Sequence, residues 1–234
     1  MGRGTLCVLI AVVIVHTCSR TQEKPYSLAV YGSFTTSSKI FHHANDPDEN
    51  IRNQFYPIDD IFGAGIDLRR SIEALSIQIG INVDYIAKSE KFNFPITSTR
   101  TVPASDGFIS IPVELSGYFI IPVGDDNIRL YMGGGFGVYI GHRRYSIADV
   151  EAPALGKNVQ IGIHVVSGVQ YVVIPSVALR SELKFRNVQF ETTNKFLQSS
   201  AQYRGTTVSL PQQPIVSRVN IDGMLLTLGI VYTF

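Results

Sequence analysis

The last eleven residues of this 234-residue chain alternate without a break. Met224, Leu226, Leu228, Ile230, Tyr232 and Phe234 fall on one face; Leu225, Thr227, Gly229, Val231 and Thr233 fall on the other. A strand repeats every two residues, so this segment shows an apolar wall one way and smaller, more polar groups the other. No residue after Asp222 is charged, whereas the solvated face of a soluble strand ordinarily carries charge. The same period recurs upstream. Leu75, Ile77, Ile79, Ile81, Val83 and Tyr85 oppose Ser76, Gln78, Gly80, Asn82 and Asp84. Leu130, Met132, Phe136, Val138 and Ile140 oppose Arg129, Tyr131, Gly133, Gly135, Gly137 and Tyr139. Helix-period stripes are absent, so the chain is read as all-β.

Eight strands are predicted, over 26–36, 58–69, 75–89, 108–121, 128–143, 159–172, 177–191 and 219–234. The connections after the second, fourth and sixth are short, at 70–74, 122–127 and 173–176. Those after the first, third, fifth and seventh are long, at 37–57, 90–107, 144–158 and 192–218. A soluble sandwich has no reason to sort its loops this way. A transmembrane barrel does, with short periplasmic turns and long external loops. Ten tilted residues rise about 23 Å, the height of the apolar band in such barrels. The fold class is therefore an eight-stranded antiparallel up-and-down transmembrane β-barrel. A lipocalin-like soluble barrel would need the reverse register and would leave the sorted loops unexplained.

The chain's start supports export. Arg3 precedes an apolar run from Leu6 to Val15, and 16–21 is polar. Ten helical residues reach about 15 Å, half a bilayer's hydrocarbon core, so a signal peptide is expected and not an anchor. The expected division is signal peptide 1–21 and barrel domain 22–234. Cys18 raises acylation as an alternative, although Val15-His16-Thr17 fits a lipobox poorly. Both cysteines, Cys7 and Cys18, lie in or beside this segment, leaving the mature chain no disulfide. A net charge of +1 gives no case for nucleic acid. Charged residues make up 17% of the chain, which is low for a soluble domain. No stretch beyond the signal is long and apolar enough for a spanning helix.

With apolar faces on lipid, the register sends Asp67, Arg69, Asp84, Glu114, Arg129, His164, Arg180, Glu182 and Lys184 inward. Eight strands enclose a bore that side chains nearly fill. Charges buried there must pair, so a salt-bridged, mostly occluded lumen is expected. The glycines of 133–137 are expected to make room for long Arg and Glu side chains. Aromatics belong at the two interfaces. Tyr26, Tyr171, Tyr232 and Phe234 are assigned to the periplasmic girdle, and Phe34, Tyr85, Phe108 and Tyr139 to the outer rim, with Tyr139 on the lumen face by register.

These residues resemble the small outer-membrane β-barrel proteins of the OmpA-like transmembrane-domain and OmpX-like kind, over essentially the whole mature chain. The most specific part is 226–234, with Gly229, Tyr232 and the terminal Phe234, which looks like the C-terminal signal read by the barrel assembly machinery. The resemblance implies the bacterial outer membrane, with its lipid and lipopolysaccharide and that machinery as partners. The chain ends at the barrel, so tethering through a peptidoglycan-binding domain is not carried over. The family hosts adhesins, channels, assembly helpers and a few lipid-modifying enzymes, and fold alone does not choose among them.

No chemistry is expected. His42 and His43 lie near Asp46, Asp48 and Glu49, but the spacing matches no metal motif and the run lacks an EF-hand pattern, so a solvated loop is the preferred reading. His142, Arg143 and Arg144 form a basic rim suited to lipopolysaccharide phosphates. His164 and Ser167 fall on opposite faces, and no serine–histidine–acid constellation stands out. The expectation is a non-enzyme without cofactor or metal, with a structural or surface-interaction role. A narrow channel for small solutes and a lipid-modifying rim enzyme are the alternatives.

Overall fold

A computed structural model describes residues 24–97, 100–125, 127–156 and 158–234. The signal segment and Cys18 lie outside the described residues. The strands are β1 (Tyr26–Phe41), β2 (Phe55–Ile72), β3 (Ile77–Pro95), β4 (Thr101–Asp125), β5 (Ile128–Ile147), β6 (Val150–Ala152), β7 (Asn158–Ile174), β8 (Val177–Arg186), β9 (Val188–Asn194), β10 (Ser200–Tyr203), β11 (Thr206–Ser209), β12 (Ile215–Ile221) and β13 (Met224–Thr233). Eight of them, β1, β2, β3, β4, β5, β7, β8 and β13, pair antiparallel in sequence order, and β13 closes the ring on β1 from Ser27↔Thr233 to Thr35↔Leu225. Closure removes the sheet edges, which lets a sheet stand in hydrocarbon.

Alternation sorts the two faces as the register requires. Outward residues such as Ile66, Ile81, Phe136, Ile163 and Leu228 are exposed, and inward Asp67, Asn82 and Glu114 are buried. At the seam beside the C-terminus Phe234 stacks on Tyr26 at 6.1 Å and on Tyr232 at 6.0 Å. At the outer boundary Phe34 meets Phe62 at 5.3 Å, and Tyr85 is exposed. Phe108 does not join that rim. It shares the inward face of β4 with Glu114 and is completely buried, as is Tyr139.

The long connections prove to be largely strand. β3 and β4 rise together until only 96–100 separate them. β5 turns into β6 through Ala148 and Asp149, both at positive φ. The first connection keeps 42–54, where Asp48 caps the short helix α1 (Glu49–Arg52) through Asn50 N at 2.9 Å. That cap gives the acidic run a local structural job. In the fourth, β9 and β12 continue β8 and β13 above kinks at Asn187 and at Asp222–Gly223, and β10–β11 forms a separate hairpin. β9 leaves the wall: β7 pairs with β8 only below His164↔Arg186, while Phe190 of β9 packs inward over Gly141 of β5.

The glycines of β5 act differently from expectation. A Cβ on Gly137 would meet Glu114 Cγ at 2.7 Å, so there the space does serve a long acidic side chain. At Gly133 and Gly135 a Cβ would strike the carbonyls of Gly117 and Leu115, so close strand approach is what excludes side chains. Gly168 on β7 receives the Tyr131 ring, whose Cζ and Oη would both lie 2.5 Å from a Cβ at that position. Gly168→Val is expected to cost about 1–3 kcal/mol by overpacking. A fall in the temperature at which the barrel loses its folded gel mobility would measure it.

Candidate functional site

The membrane-level lumen holds two linked charge clusters. In the lower one, Arg69 Nε and Nη2 donate to Asp67 Oδ2 at 2.8 and 2.5 Å, and Nη2 also meets Glu182 Oε1. Arg180 Nη1 donates to the same Asp67 oxygen at 3.1 Å, and Tyr131 Oη to Glu182 Oε1 at 2.6 Å. The Arg69 guanidinium lies 3.7 Å from the Tyr118 ring centroid. In the upper cluster, Glu114 accepts from Lys184 Nζ at 2.6 Å and Tyr139 Oη at 2.8 Å. Arg186 Nη1 sits 3.4 Å from Asp84 Oδ2 and 3.8 Å from Glu114 Oε1, and Tyr31 Oη donates to Asp84. Such pairing is the condition for burying so many ions.

Of the residues expected inward, Asp67, Arg69, Asp84, Glu114, His164, Arg180, Glu182 and Lys184 converge and are buried. Arg129 does not. It is the second residue of β5, exposed at the short-turn mouth of the barrel, because the strand starts there and the wall ends. Its place in the balance is taken by Arg186, buried on the inward face of β8. The signal for Arg186 was available: Arg180, Glu182 and Lys184 already alternate toward it. Four carboxylates (Asp67, Asp84, Glu114, Glu182) then face four cations (Arg69, Arg180, Lys184, Arg186). Sequence reading also missed Tyr31 and Tyr118, and the pairing of His164 Nε2 with Ser116 Oγ at 2.8 Å. With Glu114 Oε2 4.0 Å from His164 Nδ1, this is a serine–histidine–acid arrangement from two strands, Ser116 and Glu114 on β4 and His164 on β7, that no local spacing exposes. All three residues are buried, so a substrate has no route to them.

Above these clusters the lumen turns apolar. Ile40, Ile58, Ile86, Phe108, Val188, Phe190 and Val219 meet across the bore, each at most 1% exposed. Above that layer lies a further ion pair. Arg143 Nε and Nη2 grip Asp106 at 2.6 Å each, and Nη1 donates to Ser217 Oγ at 2.5 Å. Arg143 is therefore not part of a basic rim: it points inward between His142 and Arg144, buried, with its carbonyl held by Asn194 at 3.0 Å. Arg144 is exposed and reaches Glu151 at 3.6 Å.

His42 Nε2 meets Asp106 Oδ2 at 2.9 Å from the loop after β1. Burial alone would raise the Asp106 carboxyl, but hydrogen bonds from His42 and Arg143 and the Arg143 charge outweigh it and hold it below the usual range. A depressed folded value means stability that is present above the ordinary aspartate range and lost as pH falls through the folded value. Acidification below that range is expected to loosen the long-loop mouth first. Protease cleavage within 42–54 and 210–216 should accelerate there before the barrel unfolds. A cavity of about 630 Å³ opens beside this group, lined by His42, His43, Asn45, Asp46, Phe94, Tyr145, Gln213 and Pro214, among others. Among the described residues no cluster of three or more potential metal-ligating side chains occurs.

No family model matches the chain, and no curated protein does. Among solved structures, the outer membrane protein OprG from Pseudomonas aeruginosa superimposes with a TM-score of 0.54, at 10% identity, over 90% of this chain and 97% of that one. The chain has the fold of the small outer-membrane β-barrels. Neisserial surface protein A gives 0.47 at 12% identity over 89% and 97% of the two chains. The Ail protein of Yersinia pestis gives 0.43 at 11% over 91% and 100%. In such a barrel the last strand completes the ring, and here Gly229 lies opposite Tyr31 on one side and Arg180 on the other. A Cβ at Gly229 would come within 2.6 Å of Tyr31 Cβ, while Tyr232 and Phe234 project outward at the short-turn rim.

Proposed function

We propose that this chain is an exported barrel of the bacterial outer membrane with a structural or surface-interaction role and an occluded lumen. The observation that carries this reading is the double closure of the bore. The paired charge clusters fill its membrane-level section, and the fully buried Ile40–Phe108–Phe190 layer lies above them. A narrow channel would need a continuous water path past that apolar layer. In planar bilayers the purified protein is expected to conduct far less than a wide porin; porin-like steps would overturn the proposal.

The outer loops and the β10–β11 hairpin are then the surface offered to the outside. His142 and Arg144 share the outward face of β5 and are the residues proposed to meet lipopolysaccharide phosphates. The 226–234 segment, with Gly229, Tyr232 and Phe234, is proposed as the signal for the assembly machinery. A non-catalytic role is supported by the burial of Ser116 and His164, and by Ser217, whose hydroxyl accepts from Arg143 and not from a histidine. Incubation with labelled lipopolysaccharide or phospholipid is expected to leave both unmodified; turnover would restore the rim-enzyme alternative.

A further inference from the structure

The cavity at the extracellular mouth has its own chemistry, separate from the lumen. His42 is the group that defines it. An ionised carboxylate only accepts hydrogen bonds, so the tautomer of His42 that fits Asp106 Oδ2 at 2.9 Å carries its proton on Nε2. Nδ1 is left as an acceptor with no partner among the described residues, on a side chain 40% exposed. What binds there must donate, as a hydroxyl does.

Charge narrows the class further. Arg143 lines the cavity floor, but its side chain is 1% exposed and spends three donors on Asp106 and Ser217. Arg143 and Asp106 cancel, and Asp46 is the remaining acid in the lining. An anion would therefore find no free guanidinium or ammonium group in the lining. His43 and a largely apolar wall that includes Phe94, Tyr145 and the exposed Pro214 complete the lining, beside the amides of Asn45 and Gln213. Apolar faces interleaved with amides suit a ligand with a C–H face and a hydroxylated edge. At about 630 Å³ the space is within the size range of small-molecule sites.

We propose that this cavity binds a neutral sugar ring, one hydroxyl donating to His42 Nδ1 and the ring face resting against Phe94. The inference rests on the surface-interaction reading and gives it a ligand class. A dissolved saccharide and the terminal residue of a surface glycan share this chemistry.

The test uses the full mature chain folded in amine-oxide micelles, because sugar-headed detergents would compete. Saturation-transfer NMR is recorded with glucose, galactose, mannose and N-acetylglucosamine, with glucuronate as the anionic control. At least one neutral sugar is expected to receive saturation, and glucuronate is not. His42→Phe, with folded gel mobility retained, is expected to weaken that binding at least about fivefold through loss of one hydrogen bond. Phe94→Ala supplies an independent variant on the other wall and is expected to weaken it too. Retention on beads carrying the bound sugar identifies a surface glycan as the target; competition by the dissolved oligosaccharide with no bead retention identifies a free solute, and both support the site. Saturation of glucuronate alone, of none of the sugars, or of wild type and folded His42→Phe equally would overturn it. Should the protein conduct like a porin yet bind the sugar, the occluded-lumen reading fails and this one stands.

Discussion

Glu114→Ala is expected to cost the folded barrel about 3–5 kcal/mol, the range for removing one partner of a buried ion pair. Glu114 has zero exposure and accepts from Lys184 at 2.6 Å, Tyr139 at 2.8 Å and Asn82 at 3.3 Å. Without it Lys184 loses its hydrogen-bonded counter-ion, and Arg186 keeps only Asp84, 3.4 Å away. Neither cation can turn to water, because the apolar layer lies above and Arg69 with its partners lies below. Arg186→Met should be milder. Arg186 sits at 3.4 and 3.8 Å from its acids, and its Nε and Nη2 have no hydrogen-bond partner among the described residues. Urea unfolding in micelles or thin bilayers, followed by loss of the folded gel band, ranks the two. Equal midpoints for wild type and Glu114→Ala would mean that water reaches this cluster, and the occluded lumen would fall with it.

How much of this was legible follows from what a period of two can encode. It fixes which side of a strand a residue takes, and so it sends Asp67, Asp84, Glu114, Glu182 and Lys184 inward, where they lie buried. It does not fix height along the bore. Arg129 and Arg186 are both inward by parity, yet one stands at an open mouth and the other at the upper end of β8, where the bore is filled. Height depends on strand pairing, which also brings Ser116 of β4 to His164 of β7 across β5. The polar composition of 90–107 suggests a loop. The structure continues β3 and β4 through it, because Phe92 and Phe94 face inward against a second apolar cluster that includes Phe196 and Leu210. A strand above the membrane needs no apolar outer face, so the contrast that marks the spanning segments fades there. The same loss of contrast groups Arg143 with His142 and Arg144, when parity alone would separate them.

The outward register is what the whole arrangement depends on, and Ile66→Arg tests it most directly. Ile66 lies near the middle of the β2 belt, 52% exposed, paired with Val30 and Val83, both of which also face outward. If that face meets hydrocarbon, arginine at mid-depth is expected to cost about 2–4 kcal/mol, and the same change near an interface about 0–1 kcal/mol. Val173 supplies the interface position, since it is 54% exposed at the short-turn end of β7. In water the two variants would behave alike, because an arginine on an exposed strand face is solvated wherever it sits. Depth dependence is therefore the discriminating result, and it needs folding measured in lipid vesicles, where the hydrocarbon thickness is defined. A large loss for Ile66→Arg beside a small one for Val173→Arg fits a lipid-facing wall. Small, equal losses would place the aliphatic rows in water and require a different home for this barrel.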